Sequence, residues 1–82
     1  MSTYMLNKMI REINRDPRRR QAYFDSPADF AQAYQITDEE RRAFLERDIG
    51  KLYKLGVHGL ILRPFTLLHK MPEPEYLRAI RT

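Results

Sequence analysis

Two imidazoles, His58 and His69, are the first place where this sequence could hold chemistry. They stand eleven residues apart, close to three turns of an α-helix, so an unbroken helix would set both rings on one face. A catalytic iron or zinc centre takes about three protein ligands, commonly two histidines and a carboxylate. Pro64 lies between the two histidines, and the nearest carboxylates, Glu73 and Glu75, stand beyond a proline-rich stretch. The ligand count fails before geometry matters, and no metal site is expected on this chain. Nucleophilic catalysis has less to work with: there is no cysteine, and serine hydroxyls occur only at Ser2 and Ser26. The three glycines, Gly50, Gly56 and Gly59, do not form a phosphate-cradling loop. No catalytic residue is expected.

Positive charge is densest from Arg15 to Arg20, where guanidinium groups could pair with phosphate oxygens. Asp16 interrupts the run, and no second basic element extends it. A helix-turn-helix reader also needs Arg, Asn or Gln along a recognition helix, and the stretch after Gly56 has almost none. A solvated helix face accounts for the run, and nucleic acid is not an expected partner. The net charge of +4 permits an acidic partner without requiring one.

The elements that would position these residues read as helices throughout. Leu6, Met9, Ile10 and Ile13 fall at i, i+3, i+4 and i+7, one stripe of a first helix. Asp16-Pro17 restarts the chain, since Asp caps a helix and Pro has no N–H to leave orphaned at its first position. Ser26-Pro27 repeats that signal, with Asp29 completing a weak capping box ahead of Phe30, Ala31 and Tyr34. Thr37-Asp38-Glu39-Glu40 is the clearest start, with reciprocal Thr37 and Glu40 bonds and acidic residues where the helix dipole favours them. That helix runs to about Arg47. Asp48 then caps a short helix carrying Ile49, Leu52 and Tyr53, and Gly56 suits a left-handed terminus. From Val57 to Lys70 the chain is apolar on most sides, and Pro64 predicts a kink or break within it. Met71 to Glu75 reads as a linker, followed by a last turn or two with Tyr76, Leu77 and Ile80.

The expectation is an all-α fold: one small domain over residues 1–82, about five to six short helices around one apolar helix. A chain of 82 residues buries only about 60% of its unfolded surface, so its core is thin and a deep catalytic cleft is hard to build. Small domains often lean on disulfides, metals or a partner, and the first two lack cysteine here. The absence of cysteine fits the cytoplasm, no secretory signal is evident, and no apolar run reaches the ~20 residues needed to span a membrane. A helix apolar nearly all round must be covered nearly all round. Either the short helices wrap it completely, or its uncovered part is a partner surface drawn from Val57, Leu60, Ile61, Arg63 and Leu68. Phe65 and Arg63 are the residue types enriched at interface hot spots.

The order of these pieces resembles a known family. Tyr34-Gln35-Ile36-Thr37-Asp38-Glu39-Glu40-Arg41, then Asp48-Ile49-Gly50-Lys51-Leu52-Tyr53-Lys54-Leu55-Gly56-Val57-His58, is similar to the small-subunit (LigA-type) domain of type II extradiol ring-cleavage dioxygenases. Leu6-Asn7-Lys8 through Ile13-Asn14-Arg15-Asp16-Pro17 and the Pro27-Ala28-Asp29-Phe30 turn extend the resemblance from about Tyr4 to Arg81. The resemblance implies a non-catalytic subunit that caps the active site of a separate large subunit. That partner would hold a non-haem Fe(II), and this chain would bind no cofactor of its own. An aromatic diol would sit at the subunit interface, with His58, Leu62 and Phe65 nearest it. His58 would either donate a hydrogen bond to a substrate oxygen or serve as a helix-start residue bonded to backbone. The longer alpha subunits of protocatechuate enzymes continue past the apolar helix. This chain looks more like the short small subunits paired with dioxygenases for aminated or polycyclic catechols, so protocatechuate is not the implied substrate. The alternative is a stand-alone helical interaction module docking to another enzyme or to a peptide-modifying system.

Overall fold

The apolar stripe of the first helix sets the architecture. In the computed structural model, which describes residues 2–81, α1 (Ser2–Arg15) buries Leu6, Met9, Ile10 and Ile13 completely. α2 (Pro17–Asp25) and α3 (Pro27–Gln32) follow, each opening on its proline. Asp16 caps α2 as its position predicts, its Oδ1 accepting from the Arg18 N–H at 2.9 Å. Ser26 caps α3 by position alone. Its side chain accepts no bond from the helix, and its carbonyl receives the Phe30 N–H at 3.0 Å, so the capping box expected with Asp29 does not form.

α4 (Asp38–Glu46) has the reciprocal cap: Glu40 N–H to Thr37 Oγ1 at 3.1 Å, and Thr37 N–H to Glu40 Oε1 at 2.8 Å. That bond satisfies a carboxylate that is otherwise buried. α4 ends at Arg47, a non-glycine residue in the left-handed region (φ 53°). α5 (Ile49–Lys54) starts on Asp48, whose Oδ1 accepts from Lys51 N–H at 3.2 Å. Gly56 turns the chain with φ 110°, a conformation that favours glycine, and a Cβ there would stand 2.9 Å from the Thr3 Cγ2, which would have to shift.

α6 (Gly59–Leu68) runs through Pro64 as one helix. Of the kink or break expected there, the break does not occur. Proline frees the Leu60 carbonyl of its helical partner, and Leu60 is among the most exposed residues, so water can take that bond. α7 (Glu73–Arg81) begins inside the stretch read as a linker, with Pro74 in its first turn, where a missing N–H costs nothing. The described residues thus form seven helices and no strand, an all-α fold.

The core is one contiguous cluster. α1 lies against α6, and two asparagines on α1 hold it, Asn7 at the turn that leads into α6 and Asn14 at its start. Asn7 Nδ2 donates to the Gly56 carbonyl at 3.1 Å, and its Oδ1 accepts from His58 N–H at 2.8 Å. Asn14 Nδ2 donates to the Ile61 carbonyl at 2.9 Å. Phe44 of α4 and Phe65 of α6 stack with centroids 5.9 Å apart, and Tyr23 of α2 tilts against both. α6 is not wrapped, however. Leu62, Phe65 and Thr66 point inward, while Leu60 and Leu67 are 82% and 56% exposed and Pro64 is exposed beside them. Too few helices surround α6 to cover both of its sides.

Candidate functional site

The open side of α6 is the most distinctive surface of the molecule. Leu60, Pro64 and Leu67 recur at i, i+4 and i+7 and make an apolar ridge. Beside it Arg11, Asn14 and Arg15 of α1 join Leu60, Ile61 and Pro64 around a hollow of about 370 Å³. Asn14 Oδ1 is buried there without a hydrogen-bond partner. Of the residues expected at a partner surface, Leu60 stands out fully, and Ile61 and Leu68 are half-buried. Val57 is buried in the core. Arg63 is turned back on its own chain: Nη1 donates to Thr66 Oγ1 and to the Met71 carbonyl, both at 3.1 Å, and the guanidinium lies 5.1 Å from the Tyr76 ring centroid. It fastens α6 to α7. Pro64 and Leu67 belong to the ridge and were not singled out from sequence, because periodicity alone does not say which side of an apolar helix stays open.

The residues expected near a substrate divide. Leu62 and Phe65 have no exposed surface and pack within this chain's own core. His58 is exposed at the N-terminus of α6, where its Nδ1 accepts from the Leu60 N–H at 3.2 Å. With Nδ1 an acceptor, the neutral ring carries its proton on Nε2, which has no partner among the described residues. One ring therefore caps the helix and keeps a donor facing outward. His58 and His69 lie at opposite ends of α6, His58 as its N-cap and His69 beyond its last turn.

The chain matches, over residues 6–80, the family model described as the LigA subunit of the aromatic-ring-opening dioxygenase LigAB. It belongs to that family. The match takes in α2 to α6 whole, α1 beyond its first turn and α7 but for its last residue, along with the α6 ridge and the His58 cap. No curated protein and no solved structure matches. Among the described residues of this LigA-family chain, no group of three or more His, Asp or Glu could hold a metal ion, and no helix is long and apolar enough to cross a membrane.

A second constellation went unseen in the sequence. Tyr23 Oη lies 2.8 Å from His69 Nε2, and Arg47 Nη1 lies 3.0 Å from His69 Nδ1. Burial, and secondarily the Arg47 charge, hold the His69 imidazolium below its usual range. Burial pushes the Tyr23 hydroxyl up to about 12, against the opposing pull of Arg47. These partners are separated by 46 and 22 residues, so no local motif could have joined them. The basic run is also partly engaged within the fold. Arg20 donates to the Ile13 and Asn14 carbonyls, closing the end of α1, and Arg19 donates to Tyr34 Oη at 3.3 Å.

Proposed function

We propose that this chain is the non-catalytic small subunit of an Fe(II)-dependent extradiol aromatic-ring-opening dioxygenase, capping the active site of a separate LigB-type large subunit. The observation that carries the reading is the open Leu60–Pro64–Leu67 ridge in a chain of the LigA family. An exposed apolar stripe on a small domain marks a surface that another protein covers. The iron of the large subunit would carry the oxygen chemistry on the aromatic diol, and the described residues of this chain hold no ligand set for it. Its contribution is positional. Docking α6 over the mouth of the site excludes water and restricts the ring to one orientation. His58, at the exposed start of α6, presents Nε2–H as a donor to a substrate oxygen. Leu62 and Phe65, buried in the lone chain, hold the helix that carries it. The lack of cysteine suits a cytoplasmic enzyme of this kind.

Co-expression with a LigB-type large extradiol subunit, followed by pull-down and ring-cleavage assay, tests the reading. The expected result is a stable complex whose activity depends on this chain. Failure to associate, with activity indifferent to the chain, would leave only an interaction module for some other enzyme.

A further inference from the structure

Away from the α6 ridge, Tyr23, Phe24, Pro27, Leu45, Arg47 and His69 line a hollow of about 210 Å³. Its hydrogen-bonding groups have a fixed polarity. Arginine can only donate, so His69 Nδ1 must accept from Arg47, and the neutral ring carries its proton on Nε2. That proton is donated to Tyr23 Oη, which leaves the tyrosine's own hydroxyl hydrogen with no acceptor among the described residues. The other N–H groups of Arg47 are free as well, and neither ion pair of the described residues involves it. None of the six lining residues is acidic. The remaining wall is apolar and exposed: Phe24 at 46%, Leu45 at 39%, with Pro27 between. Arg47 is itself held in a left-handed conformation (φ 53°), as is Lys70 (φ 58°), the next residue after His69. Non-glycine residues adopt that region at a cost that packing must offset, and such residues gather at binding sites. Lys70 lines the adjoining hollow, which shares Arg47 and His69, and Glu75 is the carboxylate on that far side.

The geometry points to a carboxylate-binding site at Arg47 and Tyr23, taking an acid whose carboxylate is attached to a small flat apolar body. The carboxylate would accept from the Arg47 guanidinium and the Tyr23 hydroxyl, and the body would lie on Phe24, Pro27 and Leu45. His69 is the positioning residue: its two ring nitrogens orient the arginine and the tyrosine at once. The inference stands apart from the docking of α6, because none of these residues lies on that ridge. The same chemistry can come as a free organic acid or as the end of a peptide chain.

The test is an NMR titration of the 82-residue chain with benzoate, with a tetrapeptide ending in a free C-terminal phenylalanine, and with benzyl alcohol as the uncharged control. Saturable shifts at Tyr23, Phe24, Arg47 and His69 are expected with benzoate or the peptide, and none with benzyl alcohol. Benzoate binding alone identifies the source as a free acid, and peptide binding alone as a chain terminus. Arg47→Gln should weaken binding about tenfold or more, as loss of a charge-assisted bond does. Tyr23→Phe should weaken it less, and Lys54→Gln, remote from the hollow, should leave it unchanged. Absence of saturable shifts with either acid overturns the assignment. So does benzyl alcohol binding as well as benzoate, or undiminished binding by a folded Arg47→Gln chain.

Discussion

His69 shows how one side chain can make stability depend on pH. Its imidazolium is disfavoured in the folded chain, first by burial and then by Arg47, so the folded state binds fewer protons than the unfolded one below the ordinary value of 6.5. Stability from this group is therefore fully present above that pH and is lost as pH falls through the folded-state value. Tyr23 works in the opposite sense at the alkaline end. Its hydroxyl holds its proton to about 12 when folded against 10.0 when unfolded, so stability declines as pH rises between those values. The thermal midpoint should be flat from near neutrality to about pH 10 and fall on either side. In His69→Gln the decline that sets in just below neutrality should be shallower, and in Tyr23→Phe the alkaline one; thermal melts across pH read both. Phe65 gives a second prediction at this scale. With the ring fully buried against Phe44 and Tyr23, Phe65→Ala should cost about 3–5 kcal/mol, visible as a large drop in melting temperature of the lone chain.

The starts of α2 to α5 were legible because caps are local. Thr37 and Glu40 are three residues apart, and the two bonds that pair them need nothing from the rest of the fold. Thr37→Ala should cost about 1 kcal/mol by denaturant titration. The same locality explains what was missed. Pro64 predicts a kink or a break because proline removes a bond within its own helix. The helix runs on through it, with α1 holding the incoming turn through Asn7 and the start of α6 itself through Asn14. Which side of α6 stays open depends on where α1 and the aromatic residues of α2 and α4 lie, and periodicity carries no such information. The resemblance named the family correctly, whereas Phe65 and Leu62 owe their burial to tertiary packing. For the ridge itself the expected outcome is selective. Leu60→Asp should abolish capture by the large subunit yet shift the lone chain's melting temperature by little, since Leu60 touches solvent rather than core.

At the scale of the whole molecule, a thin core and an open apolar face are two sides of one arrangement. A small chain has limited apolar surface to place inside, and holding Leu60, Pro64 and Leu67 outside weakens the isolated fold. A partner that binds only the folded chain then stabilises it by mass action, by about 2.7 kcal/mol when its free concentration is a hundredfold above Kd. The melting temperature of this chain should therefore climb with added large subunit and keep climbing with concentration. Arg11 and Arg15 flank the ridge, so association with a large subunit whose facing rim is acidic should slow as salt is raised. Leu60→Asp should melt like the parent alone and gain nothing from the partner. An equal gain in parent and variant would place the docking surface elsewhere on the fold.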